Sequence, residues 1–192
     1  MEIYLIALAA GFSRRYGKNK LMEPVEGEKM YRRLFSLLGE VRKRHPGIGG
    51  IAVVTQYEEI LEEAARRGFT AIWNAESASG IASSLQCGLR AMLELCGKGP
   101  AAFCFFVSDQ PYLRADTVVR FLEEFEESGK GIGRLCYGGR EGNPVIFAGC
   151  YAKELLGLTG DRGGSRVVKR HPGDVFRMEA SCGRELEDMD VR

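Results

Sequence analysis

Apolar positions along this chain follow two alternating patterns. Runs at 3–9, 51–55, 70–73, 102–107, 135–137, 144–147 and 175–178 are apolar and rich in β-formers, mostly without a polar residue at every second place. Strands buried on both faces read this way. Between them lie stretches with apolar residues three and four apart, such as 30–44 with Leu34, Leu37, Leu38 and Val41, which ends at His45-Pro46-Gly47. Further helices are predicted over 57–67, 82–96 and 117–128, with shorter ones near 152–156 and 165–170. Gly68 stands where a left-handed cap should close the second helix, and Gly129, Gly131 and Gly133 read as a flexible turn. The alternation predicts an α/β protein with a mostly parallel sheet covered by helices on both faces. No repeat, low-complexity tract or linker divides it, so residues 1–192 are expected to form one domain.

Composition narrows the class. The charges nearly cancel, 27 basic against 26 acidic side chains, which argues against a nucleic-acid coat protein or a polybasic membrane binder. That balance conceals an asymmetry, because residues 1–44 carry ten basic and five acidic side chains. None of the six cysteines is spaced as CxxC and both histidines adjoin prolines, so no zinc centre is expected. Thiols in apolar stretches such as AAFCFFVSD suit a reducing, cytoplasmic setting. The apolar opening MEIYLIALAA lacks a basic leader and is too short for a membrane helix, so it reads as a first buried strand. Glycine is abundant, 25 of 192 residues.

Candidate chemistry follows the strand ends. Directly after the first strand comes Leu8-Ala9-Ala10-Gly11-Phe12-Ser13-Arg14-Arg15-Tyr16-Gly17-Lys18-Asn19-Lys20-Leu21. In an open parallel sheet a ligand sits beyond the carboxyl ends of the strands. Glycines let the main chain approach an anion there, and Arg14, Arg15, Lys18 and Lys20 offset concentrated negative charge such as a polyphosphate. The loop is neither a Walker A sequence nor GxGxxG. A second apolar run ends in Val107-Ser108-Asp109-Gln110-Pro111, whose carboxylate would face the same crevice and offer Mg²⁺ a hard oxygen ligand. A helix opens at Gly80-Ile81-Ala82-Ser83-Ser84, with main-chain N–H groups for a phosphate or base edge. Asp188 and Asp190 add two late carboxylates. Each feature also has a plain structural reading as a solvated basic turn, an N-cap or an acidic tail.

In their order along the whole chain these segments resemble the MobA-like nucleotidyltransferases, and within them the MocA-type molybdenum cofactor cytidylyltransferases. The pattern LAAGxSxRxGxxK is met by Leu8, Ala9, Ala10, Gly11, Ser13, Arg15, Gly17 and Lys20, and SSLxxGL by Ser83, Ser84, Leu85, Gly88 and Leu89. DQP is met by Asp109, Gln110 and Pro111, GxPVxF by 142–147, and the closing DxD by Asp188 and Asp190. A GDxGxR-like run occupies 160–166 with a shifted arginine; Asn143 stands where the family has His, and Tyr16 where it has Met.

The resemblance implies a Rossmann-like three-layer α/β/α sandwich of the nucleotide-diphospho-sugar transferase type. It implies Mg²⁺-dependent transfer of CMP from CTP to the phosphate of a molybdopterin-type acceptor, with no nucleic acid or membrane partner and a molybdoenzyme downstream. Arg15, Lys20 and Asp109 would be catalytic. Leu8, Ala9, Ala10, Gly11, Ser13, Asn74, Ser84 and Gly88 would join them in holding the nucleotide, Asp109 and Asp190 would bind the metal, and Asn143, Pro144 and Asp161 would receive the acceptor. Ala10, where guanylyltransferases carry a second glycine, fits a cytosine pocket. Other readings are a nucleotidyltransferase using another nucleotide or a sugar or isoprenoid phosphate, and a non-catalytic nucleotide-binding chaperone of a molybdoenzyme.

Overall fold

A segment such as Ile3-Tyr4-Leu5-Ile6-Ala7, apolar at every position, leaves water completely only when both of its faces are covered. The computed structural model, which describes residues 1–11 and 19–189, covers both. Strand β1 (Glu2–Ala9) turns Ile3, Leu5, Ala7 and Ala9 to one cluster and Tyr4 and Ile6 to the other. The chain continues through a two-strand hairpin, β2 (Pro24–Val25) and β3 (Glu28–Lys29), into α1 (Met30–Arg44), β4 (Ile48–Thr55), α2 (Glu58–Arg66) and β5 (Thr70–Trp73). It then crosses through α3 (Ile81–Leu95) to β6 (Ala101–Val107), α4 (Ala115–Ser128), β7 (Ile132–Tyr137) and β8 (Arg140–Ala148). Two short helices, α5 (Ala152–Leu156) and α6 (Ser165–Arg170), precede β9 (Val175–Glu179).

Seven strands form one sheet in the order β5-β4-β1-β6-β8-β7-β9, in which β8 alone runs against its neighbours. Buried residues of α1, α2 and α4 cover one face, and those of α3, α5 and α6 the other. The expected three-layer α/β/α arrangement is therefore present. From β1 the chain first steps outward to β4 and β5, then returns to β6 on the other side of β1. That reversal opens a crevice beyond the carboxyl ends of β1 and β6, where Leu8 pairs with Val107.

Local chemistry explains the helix limits. Helix α1 buries Met30, Tyr31, Leu34, Phe35, Leu38 and Val41 at three- and four-residue spacing, and Arg42, Lys43 and Arg44 complement the negative end of its dipole. Helix α2 closes as expected at Gly68, with φ of 69°; the amide of Phe69 donates to the carbonyl of Ala64 and that of Gly68 to the carbonyl of Ala65.

The differences from expectation have packing causes. Of the glycines read as a flexible turn, only Gly129 turns in the left-handed region, ending α4. Gly133 lies inside β7, where an added Cβ would come within 2.8 Å of both Ile146 and Phe125 side-chain atoms. Strand β7 therefore begins at Ile132, three residues before the predicted run, and the stretch 138–143 is the tip and start of the β7–β8 hairpin. The β2–β3 hairpin, too short for a periodic signal, went unpredicted.

Helix α2 is tied to α1 through Glu63, which accepts from Arg67 at 2.9 Å and also pairs with Arg66 and Arg32. The Arg67 hydrogen bond, with the nearby guanidinium charges, holds its carboxyl below the usual range despite partial desolvation. A lowered folded-state pKa stabilises the fold above pH about 4.5, and that contribution is lost as the carboxyl is protonated on acidification. In Glu63→Gln the melting temperature is expected to fall at neutral pH and to decline less steeply toward acid than in the parent, which a melting series across pH 3 to 7 would read (roughly the carboxylate range). Parallel curves would remove Glu63 from this role.

Candidate active site

The crevice is built from main-chain groups held by side chains of the neighbouring strands. At the last ladder pairs of β1 and just past them, four successive carbonyls have side-chain donors. Ser108 Oγ donates to Leu8 at 2.9 Å, Thr55 Oγ1 to Ala9 at 3.0 Å, Gln56 Nε2 to Ala10 at 2.6 Å and Tyr57 Oη to Gly11 at 2.8 Å. Thr55, Gln56 and Tyr57 were not singled out from sequence. Their signal is positional: Thr55 ends the strand paired with β1 and Gln56 and Tyr57 directly follow it, so they reach Ala9, Ala10 and Gly11 at the end of β1.

Beyond these carbonyls lies a cavity of about 440 Å³ lined by Leu8, Ala10, Gly11, Lys20, Ser84 and Asp109, among others. Lys20 opens a short 3-10 turn capped by Asn19, whose Oδ1 accepts from the Leu21 amide at 3.1 Å, while Leu21 is buried below. Its Nζ donates to Asp109 Oδ2 at 2.7 Å, joining two residues 89 positions apart. The carbonyl of Asp109 accepts from the Met189 amide at 2.8 Å, and Gln110 Nε2 donates to Asp188 Oδ1 at 3.0 Å. Partial burial and the Asp109 charge raise the Asp188 carboxyl above its ordinary pKa.

Two adjacent carboxylates that repel each other fit a divalent cation, and hard oxygens suit magnesium, which commonly takes one or two carboxylates plus substrate phosphates. Among the described residues no group of three or more His, Cys, Asp or Glu side chains is clustered for a metal. Ser13, Arg15 and Asp190, expected in the site, lie outside the described residues.

The opposite wall comes from α3. Asn74, buried at the end of β5, donates through Nδ2 to Ser83 Oγ at 3.0 Å and Ser84 Oγ at 2.9 Å. It lies behind the cavity wall and orients serines; Ser84 itself lines the cavity. Gly80, with φ of 100°, leads into α3, and a Cβ there would lie 2.4 Å from the carbonyl carbon of Gly160. The carbonyl of Gly160 accepts from the Ala82 amide at 3.1 Å, so part of the helix terminus expected to meet a phosphate is occupied by the protein's own loop. That loop presents Asp161 to the cavity.

Other expected residues lie elsewhere. Ala9 is buried in the core, and Gly88 serves close packing of α3 on the sheet, where a Cβ would come 2.5 Å from Ile6 Cγ2. A second cavity of about 300 Å³ shares Leu8, Ile81, Val107 and Asp161 with the first and includes Asn143 and Arg134. Pro144 is buried and does not line it.

A lysine–carboxylate pair at the reversal point of a largely parallel sheet, beside two adjoining cavities, defines a nucleotide-handling α/β protein. Residues 5–175 match the family described as MobA-like NTP transferase domain. The chain belongs to that family and is a nucleotidyltransferase of this type. It is 28% identical to the purine catabolism protein PucB of Bacillus subtilis (strain 168), with 98% of this chain and 92% of that protein covered. In fold it resembles a nucleotidyl transferase from Methanothermobacter, with a TM-score of 0.76 at 20% identity over 98% of this chain and 92% of that one. It also resembles Rv0371c of Mycobacterium tuberculosis H37Rv, with a TM-score of 0.73 at 21% identity over 95% and 90% of the two chains. A structure of Rv0371c in complex with manganese is also known.

Because Gly80 faces the Gly160 carbonyl without room for a methyl group, Gly80→Ala is expected to push the 160–161 loop off the start of α3. Strain at positive φ and overpacking together should cost about 2–4 kcal/mol, read by denaturant unfolding, with weakened nucleotide binding in the folded fraction. Unchanged stability would show that the loop moves freely.

Proposed function

We propose that this protein transfers CMP from CTP to the phosphate of a molybdopterin-type acceptor in a Mg²⁺-dependent reaction that releases pyrophosphate, acting as one domain in the cytoplasm. The observation that carries this reading is the pair of adjoining cavities, one bearing Lys20, Asp109 and Ser84 and the other bearing Arg134, Asn143 and Ser165 beside apolar side chains, with Leu8, Ile81, Val107 and Asp161 common to both. A transferase of this kind must hold two substrates whose phosphates meet. All six cysteines are free, in keeping with a reducing compartment, and no helix among the described residues is long and apolar enough to cross a membrane.

In this reading an acceptor phosphate oxygen forms a bond to the α-phosphorus of the nucleotide as the bond to the bridging oxygen breaks, and pyrophosphate departs with the electron pair. The attacking phosphate is already an anion, so positioning and charge neutralisation supply the catalysis. Lys20, with Arg15, would hold the triphosphate, and Gly11 and Ser13 would let the main chain approach it. Ser84 Oγ accepts from Asn74, which leaves its proton for a nucleotide oxygen. Asp109, Asp188 and Asp190 would hold Mg²⁺, which supplies charge neutralisation and orientation at the reacting phosphates. Ala10, nearly buried where it meets the first cavity, narrows the space for a base and favours cytosine over a purine. Asn143 and Asp161 would face the acceptor.

The deciding measurement is pyrophosphate release from CTP, GTP, ATP and UTP with magnesium and molybdopterin, against 2-C-methylerythritol 4-phosphate and a sugar phosphate as alternative acceptors. CTP with molybdopterin should be fastest; a purine nucleotide or a sugar phosphate ahead of it would overturn the assignment. In Asp109→Asn turnover should fall by roughly 10²- to 10³-fold with the melting temperature nearly kept, and near-parental turnover would take Asp109 out of the mechanism. Lys20→Ala should raise the KM for CTP about tenfold or more while the KM for the acceptor stays within about twofold. Equal effects on both would instead make Lys20 a structural partner of Asp109.

A further inference from the structure

The late acidic run contains one carboxylate that faces inward. In Arg184-Glu185-Leu186-Glu187-Asp188 the side chains of Glu187 and Asp188 are exposed, whereas Glu185 is 1% exposed. It stands in a short 3-10 turn, Gly183–Leu186. Its Oε1 accepts from the Ser181 amide at 3.1 Å, and its Oε2 from the Arg114 amide at 3.2 Å at the start of α4. No lysine or arginine among the described residues pairs with it. A carboxylate buried this far without a cation is costly, even with two amides and the positive end of a helix beside it. Capping α4 alone does not call for one, because a Ser, Thr or Asn at the helix's own cap position serves.

What the buried carboxylate fastens is the segment that carries Asp188. From Asp109 to Arg114, and from Met189 back to Glu185, two stretches lie side by side and run in opposite directions. The Met189 amide donates to the Asp109 carbonyl at 2.8 Å, Gln110 Nε2 donates to Asp188 Oδ1 at 3.0 Å and to the Leu186 carbonyl at 3.4 Å, and the Arg114 amide meets Glu185. Leu186 is buried beside Gly142, where a Cβ would lie 2.9 Å from its Cδ1. Asp109 and Asp188 carry like charges, which push the two stretches apart although Lys20 offsets part of the repulsion. The pair stays together only if the chain behind it is anchored. We propose that Glu185 is the positioning residue of this carboxylate pair: it sets where Asp188 stands beside Asp109, and through that the affinity for the divalent cation. The inference deepens the CMP-transfer reading and rests on it for the cation. Glu185 lines neither cavity, so it acts through the segment it anchors. Glutamine replaces it only in part, because its amide offers one acceptor and turns an NH₂ toward the second N–H.

The test compares the intact protein with Glu185→Gln and Glu185→Ala. Glu63→Gln, whose parent carboxylate pairs with Arg32, Arg66 and Arg67 and lines neither cavity, controls for lost stability. Amide exchange at Met189, read by NMR, should quicken about tenfold in Glu185→Gln and further in Glu185→Ala, as expected when a hydrogen bond to a charged group is lost. Affinity for Mn²⁺, read by electron paramagnetic resonance with α,β-methylene-CTP present, should fall about threefold in Glu185→Gln and about tenfold in Glu185→Ala. Glu63→Gln should change neither. Glu185→Gln decides alone if Glu185→Ala does not fold. A lower melting temperature with Met189 exchange or Mn²⁺ affinity at the parental value would make Glu185 a structural cap of α4 and overturn the proposal. A parent that binds no Mn²⁺ with the nucleotide, while Met189 exchange still quickens in the variants, would overturn the metal assignment and support Glu185 as the residue that places Asp188. Weakened Mn²⁺ binding in the variants, without pyrophosphate release from CTP and molybdopterin in the parent, would support Glu185 and overturn the CMP-transfer reading alone.

Discussion

The position of β1 between two parallel neighbours is the constraint on which the rest depends. Its seven paired residues on each side remove its backbone groups from water, and its side chains fill both hydrophobic layers. Where the ladder stops, the carbonyls of Leu8, Ala9 and Ala10 would be left as buried or half-buried acceptors, followed by the exposed carbonyl of Gly11. Ser108, Thr55, Gln56 and Tyr57 satisfy them, each from the end of an adjacent strand or the start of the helix that follows. The same bonds hold Ala10 and Gly11 at one edge of the crevice. Sheet closure and site construction are therefore one event: a register slip in β1 would misplace Ala10 and Gly11 as surely as it would expose the core.

On this frame the acidic side of the site is held mainly by polar contacts at the surface. Arg33 donates to the carbonyl of Pro111 at 3.0 Å and pairs with Glu26 at 3.1 Å, and Arg184 stacks 3.8 Å from the ring centre of Tyr112 while reaching Glu26 at 3.3 Å. Exposed ion pairs of this sort add little to global stability. What they do is local: the hairpin residue Glu26, the turn at 111–112 and the late segment at 184–189 are fastened together, with Met189 bonded to the main chain of Asp109. This brings Asp188 beside Asp109, 79 positions earlier in the chain, and partial burial together with that neighbouring charge raises the Asp188 pKa.

Much of the fold was legible because buried strands and amphipathic helices leave different periods. Every predicted strand core lies inside an observed strand, and the Gly68 cap has the expected hydrogen bonds. What failed was reading glycine by composition. Gly133 and Gly88 signalled close packing inside elements, which is invisible until the partners Ile146, Phe125, Ile6 and Val54 are known. The reversed direction of β8 also leaves no mark in a run as short as 144–147. For the site, strand-end motifs could be read because topology sends them to one crevice. Asn74 could be named, but its role behind the wall rests on Ser83 and Ser84 approaching from another element. Arg134 carried no signal, since one arginine in a six-residue strand looks like a solvated position.

The two cavities differ in the polar groups they present. The first carries Lys20, Asp109 and the Ser84 hydroxyl, groups suited to concentrated charge. The second sets Arg134, Asn143 and Ser165 beside Phe105, Val145 and Phe147, where an unmatched polar atom is expensive. Asp161 stands on the wall common to both cavities through a loop bound to the start of α3, which makes the position of that wall a property of the Gly80–Gly160 contact. That contact admits no side chain, and so the shared wall is positioned by the closest approach of two stretches of bare backbone.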